Sequence, residues 1–260
     1  MKKPIPKYSL TIGWLYPDLM GTYGDRGNIS VLQKRCLWRN INPIILPITK
    51  ATNSLKLESV DLLFGGGAQD REQKLVEKNL RKQKGNLIRA LIEKDVPSLF
   101  VCGSAQLLGM YYQPTEGKCI EGLGIFKIKT VHAAANEKRC IGNTVVEVLY
   151  PQELKGKQLV GFENHGGRTY LLDGGLPFAQ VISGNGNNGQ DNLEGVVYHK
   201  AIGTYLHGPL LPKNPLIADY LIKAALELKY QKPFSLQPLD DQLSDLAQQT
   251  ISKRLSKHPR

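Results

Sequence analysis

At 260 residues, 41% of them hydrophobic, the chain can hold one large α/β domain or two small ones, with a core that needs no disulfide or metal staples. Its four cysteines, Cys36, Cys102, Cys119 and Cys140, form no CxxC pair, which argues against a zinc knuckle or a secreted disulfide framework and fits a reducing cytoplasm. The formal net charge of +11 admits an acidic partner, nucleic acid or an anionic membrane surface, yet much of it lies in residues 74–89 and 253–260, where a solvated face is the simpler account.

Lys2 and Lys3 precede an apolar run at 10–16, but Trp14, Pro17 and Asp18 stand too close for a signal-peptide core. The run is therefore read as a first buried strand. A helical stretch at 28–39 follows, then strands at 44–48 and 60–64, a helix at 72–93, a strand at 98–101 and a helix at 105–111. Short β-rich runs interleaved with helical ones predict a mostly parallel sheet flanked by helices, a doubly wound α/β fold. Beyond Gly117 the segments 125–131, 143–149, 159–162, 180–183 and 195–198 are extended and separated by glycine- and asparagine-rich turns, which predicts antiparallel strands continuing or flanking that sheet. A last strand ends at 204–207 and a helix at 217–228 closes a domain spanning 1–228. In the basic tail, 229–260, Leu239, Leu243 and Leu246 predict a short amphipathic helix docked on this domain or on a partner. No stretch approaches the ~20 apolar residues of a membrane span.

Chemistry concentrates where strands turn into helices. Cys102 ends the apolar run 98–101 and is followed by Gly103, Ser104 and Ala105, the pattern of a nucleophile elbow, at a helix N-terminus that favours thiolate. The other three cysteines lack this setting and are read as structural. A thiol nucleophile needs a base: His207, where a strand stops at Gly208-Pro209, is best placed, with His165 as runner-up. Gly65, Gly66 and Gly67 end a third strand, and their bare amides, with that of Gly103, could meet a developing oxyanion. No cluster suggests a metal site.

The blocks YGDRGN (23–28), GGGAQDREQ (65–73), VCGSAQLLG (101–109), GFENHGGRTY (161–170), SGNGNN (183–188) and GTYLHGPLLPKN (203–214) resemble the class I, triad-type glutamine amidotransferases. The resemblance lies in the branch shared by cobyric acid synthase and the small GatD-type subunits of lipid II isoglutaminyl synthase. It implies that Cys102 attacks the side-chain amide of L-glutamine with His207 as base, and that Gly66, Gly67 and Gly103 form the oxyanion region. It also implies that Arg139, just before the segment 142–147, holds the glutamine α-carboxylate; an ordinary surface arginine is the alternative. Typical members carry a glutamate two residues after the histidine, where this chain has Pro209. The third acid is therefore expected from a partner subunit, with Glu163 as an internal candidate.

No GxxxxGK[ST] loop is present. No cofactor is expected in this chain, and ATP and Mg are expected in a Mur-ligase-like partner, by resemblance MurT, in a cytoplasmic heterodimer. Ammonia would then amidate the D-glutamate of the lipid II stem peptide to D-isoglutamine in peptidoglycan synthesis; nucleic acid is not an expected partner. The alternatives are an amidotransferase acting on a corrinoid precursor and a non-catalytic binding module on the same scaffold.

Overall fold

The computed structural model describes residues 6–22, 24–134 and 137–257. The first five residues, Tyr23 of the YGDRGN block and the last three residues of the basic tail lie outside that description.

The first half is built from β1 (Tyr8–Leu15), α1 (Arg26–Trp38), β2 (Ile41–Ile48), β3 (Leu62–Gly65), α2 (Asp70–Asn79), α3 (Gly85–Glu93), β4 (Ser98–Val101) and α4 (Gly103–Leu108). The second half contributes β5 (Tyr111–Gln113), β6 (Ile120–Glu121), β7 (Ile128–His132), β8 (Cys140–Val148), β9 (Gln158–His165), β10 (Gly167–Leu171), β11 (Ala179–Ser183), β12 (Leu193–Glu194), β13 (Val196–Tyr198) and β14 (Ala201–Thr204). Three helices follow, α5 (Leu210–Lys213), α6 (Pro215–Tyr230) and α7 (Gln242–Lys257).

The main sheet runs β13-β14-β4-β3-β1-β2, parallel except for the β13 edge. Strands β3, β4 and β14 are buried along their whole length, as a parallel strand covered on both faces must be. Successive residues serve opposite layers: Leu62 and Phe64 pack with Ile29 and Leu32 of α1 and Leu221 of α6, whereas Leu63 packs with Val76, Ile88 and Ile92 on the other face. The chain passes from β1 to β2 on one side and then to β3 on the other, so the sheet has a switch point between β1 and β3, beside which ligands bind in open α/β folds.

The extended segments of the second half do not lengthen this sheet, apart from β13 and β14. They form two separate four-stranded sheets, β10-β7-β5-β6 and β12-β11-β8-β9. The chain crosses between them at Gly166, the one residue separating β9 from β10. Strand β10 was absent from the sequence reading because GRTYL lacks the apolar character that marks the others. The helix expected at 72–93 is interrupted by a π turn at Leu80–Lys84, where the buried Lys84 donates to Asn79 Oδ1 at 2.9 Å.

The basic tail is docked on this domain. Phe234 and Leu236 pack against the first core layer, and Arg39 Nε donates to the Gln237 carbonyl at 2.7 Å. Arg35, buried on α1, makes paired hydrogen bonds to Asp219 of α6 and Asp241 of the tail, all at 2.6–2.8 Å. The tail helix α7 is longer than Leu239, Leu243 and Leu246 suggested. Leu243 and Leu246, 84% and 62% exposed, turn away from the body of the protein.

Removing one partner of a buried charge cluster strands the others. Asp219 and Asp241 keep about a quarter of their side-chain surface in water, so the cost falls below that of a fully enclosed pair. Arg35→Ala is expected to destabilise the fold by roughly 2–3 kcal/mol. A denaturant midpoint unchanged from wild type would contradict this.

Candidate active site

Four loops at the carboxyl ends of β1, β3, β4 and β14 converge. After β4 the chain turns at Cys102, with φ 52° and ψ −110°, a left-handed conformation that a non-glycine residue adopts only when its surroundings enforce it. The Cys102 amide donates to the Thr204 carbonyl of β14 at 2.8 Å, and Ser104 Oγ donates to the Gly65 carbonyl at 2.7 Å. Gly103 has no alternative at its place, because a Cβ there would stand 2.8 Å from the Ala68 amide nitrogen. Cys102 is 6% exposed. Cys36 and Cys140 are also buried, and burial pushes both thiols above their usual range, Cys36 to about 12; Cys119 lies exposed.

His207 reaches the same point from the end of β14, where its amide and carbonyl bridge to Phe162 at 2.9 and 3.1 Å. Its Nδ1 lies 3.4 Å from Asp25 Oδ1, both side chains being fully buried. Burial opposes a charged imidazole here, but the Cys102 sulfur and the Asp25 carboxylate outweigh it and raise the group to about 10. Sulfur, imidazole and carboxylate thus interact in one buried cluster.

Asp25 is the residue that sequence reasoning missed. The acid facing His207 comes from this chain, from the turn between β1 and α1, and not from Glu163. Glu163 accepts from the amides of Asn185 and Gly186 at 2.7 and 2.8 Å and from Asn185 Nδ2, so it braces the 184–186 turn. Asp25 stood inside the YGDRGN block, and its place after the first strand was the available signal. His165, the runner-up base, stacks on Tyr205 with centroids 3.9 Å apart; burial lowers it to about 4, and it is neutral near pH 7.

The glycines divide their labour differently from the sequence reading. The Gly67 amide donates to Asp25 Oδ2 at 2.6 Å, so it positions the acid rather than facing an oxyanion. A Cβ on Gly66 would stand 2.5 Å from the Met20 carbonyl, so only glycine fits there. The amide of Gly103, at the first position of α4, has no intrahelical acceptor, and Ala68 adjoins it on the cavity wall.

Cys102 opens into a cavity of about 600 Å³, lined by Ala68, Asp70, Gln106, Tyr112, Arg139 and His165 among others. The Arg139 guanidinium sits at this cavity, braced by Asn164 through Oδ1 at 3.1 Å and the main-chain oxygen at 3.3 Å. Gln106 Nε2 donates to the Tyr205 hydroxyl at 2.9 Å and its Oε1 accepts from Gln73 at 2.8 Å. Among the described residues no group of three or more histidine, cysteine or acidic side chains is arranged to hold a metal ion.

A thiol on a strand–helix elbow, beside an imidazole and a carboxylate on a doubly wound sheet, defines a site equipped for acyl transfer through sulfur. Residues 11–215 match the CobB/CobQ-like glutamine amidotransferase domain, and the chain belongs to that family. It is 40% identical over 250 residues to the lipid II isoglutaminyl synthase (glutamine-hydrolyzing) subunit GatD of Staphylococcus aureus, covering 96% of this chain and 98% of that one. The corresponding subunit of Streptococcus pneumoniae is 38% identical over 237 residues, or 91% and 88% of the two chains. Among solved structures, PurLQS from Thermotoga maritima superposes with a TM-score of 0.58 at 15% identity, over 86% of this chain and 99% of that chain, a likeness of fold.

The two buried histidines have opposite linkage. His207, raised to about 10, stabilises the fold fully below its unfolded value near 6.5 and loses that contribution as pH rises through about 10. His165, lowered to about 4, withdraws stability as pH falls from about 6.5 toward 4, because the unfolded chain takes the proton first. Histidine NMR titration is expected to find His207 protonated at neutral pH and His165 neutral, with Asp25→Asn moving only the former downward.

Proposed function

We propose that this chain is a glutaminase subunit that hydrolyses L-glutamine to glutamate and ammonia, with Cys102 as nucleophile, His207 as proton carrier and Asp25 as the acid that orients it. The observation that carries the proposal is the buried Cys102–His207–Asp25 cluster, whose cysteine opens into a cavity with Arg139 on its wall.

In this mechanism the sulfur attacks the side-chain amide carbon, and the amides of Gly103 and Ala68 receive the developing oxyanion. Imidazolium passes its proton to the leaving nitrogen, ammonia departs, and a γ-glutamyl thioester remains. His207 then takes a proton from water as that water attacks the thioester, which releases glutamate and restores the thiolate. Asp25 holds the imidazole in the tautomer that presents Nε2 to the sulfur. Arg139 pairs with the substrate α-carboxylate through its fork of donors.

Ammonia is consumed in a second reaction that needs an activated carboxylate. The relatives in Staphylococcus aureus and Streptococcus pneumoniae are named as subunits of lipid II isoglutaminyl synthase, which supports an acceptor on the lipid II stem peptide, its D-glutamate becoming D-isoglutamine. We assign the ATP- and Mg-dependent step to a Mur-ligase-like partner of the MurT kind, in a cytoplasmic heterodimer serving peptidoglycan synthesis. The same near full-length similarity favours this acceptor over a corrinoid precursor.

In the assembled complex, Cys102→Ala and His207→Ala are expected to lower glutamine-dependent amidation and glutamate release by about 10³-fold or more. Amidation driven by ammonium salts should persist in both. Asp25→Asn is expected to slow glutamate release by about 10²- to 10⁴-fold. Were the acid supplied by the partner instead, this variant would keep wild-type turnover.

A further inference from the structure

Free glutamine presents three polar groups to a pocket: the reacting amide, an α-carboxylate and an α-ammonium. Arg139 suits the carboxylate. An ammonium needs an oxygen acceptor, preferably a charged one, since a charge-assisted hydrogen bond is roughly twice as strong as a neutral one.

Asp70 is the only carboxylate on the wall of the Cys102 cavity among the described residues. It is the first residue of α2, two positions beyond Ala68. Its orientation is fixed by Tyr112, whose hydroxyl donates to Oδ1 at 2.8 Å. Tyr112 is itself 3% exposed and lines the same cavity. No other hydrogen bond or ion pair engages the Asp70 side chain among the described residues, so Oδ2 is left for a ligand. The other ionisable side chains on the wall are Arg71, Cys102, Tyr112, His132, Arg139 and His165, none of which can offer an ammonium a carboxylate. The cavity wall therefore carries one carboxylate and a guanidinium beside the thiol, matching the ammonium and carboxylate that share the α-carbon of a zwitterionic amide and the amide at its other end.

We propose that Asp70 binds the α-ammonium group of the substrate and, together with Arg139, restricts the site to free α-amino acid amides. An amide lacking the amino group, or glutamine whose amino group is acylated in a peptide, forfeits that ion pair. This assignment rests on the glutaminase reading and names the residue that selects its substrate. Asp70 does not touch the reacting bond, so its effect belongs to binding.

The test compares L-glutamine with its deamino analogue, 4-carbamoylbutanoate, on the assembled complex carrying wild-type chain or Asp70→Asn. Wild type should favour glutamine. Asp70→Asn is expected to lower kcat/KM for glutamine by about 10- to 100-fold, chiefly through KM, and to leave the analogue within about 2-fold. Inhibition by L-glutamate against glutarate reads the same difference without turnover: the variant should weaken glutamate binding alone. The proposal is overturned if Asp70→Asn slows both substrates equally, or if wild type does not distinguish them. Failure of wild type to hydrolyse glutamine at all would instead bring down the glutaminase reading, and this assignment with it.

Discussion

One buried carboxylate ties the site together. Asp25 is wholly enclosed, and enclosing an anion costs several kcal/mol unless close partners offset the loss of water. The Gly67 amide at 2.6 Å meets one oxygen, and the His207 ring at 3.4 Å faces the other. These contacts join the turn after β1 to the loop after β3 and to the end of β14. The loops therefore cannot shift independently, and the imidazole is held where the sulfur needs it.

The elbow at Cys102 depends on the same rigidity. A left-handed cysteine is strained by itself, and it persists because its amide is bonded to Thr204 and because the next residue can be only glycine against Ala68. The neighbouring Ser104 is bonded to Gly65. The elbow is thus held against β14 on one side and against the loop after β3 on the other.

The parallel sheet and the two smaller sheets contribute different things. Cysteine, histidine and Asp25 stand at carboxyl ends of the main sheet, as in other open α/β proteins. The opposite wall of the cavity, with His132, Arg139 and residues 164–167, comes from β7, the approach to β8, and the β9–β10 crossing. The cavity is thus walled jointly by the βα framework, through residues 68–71, Gln73, Cys102 and Gln106, and by the later strands. The tail is folded back onto α1 by Arg35 and Arg39.

Local pattern alone determined most of the main sheet. Buried parallel strands are continuously apolar over four or five residues, and a cysteine followed by small residues at the end of such a run marks an elbow whatever surrounds it. His207 was legible for the same reason, since its strand stops at Gly208-Pro209, whereas Arg139 was marked only by the family resemblance. The tertiary structure alone decided that Asp25 faces His207, that Gly67 is committed to it, that the later strands form separate sheets, and that the tail docks at home. Each of these depends on which strand ends become neighbours across the fold. Strand order is set by packing over long sequence separations, and nothing in a window of ten residues records it.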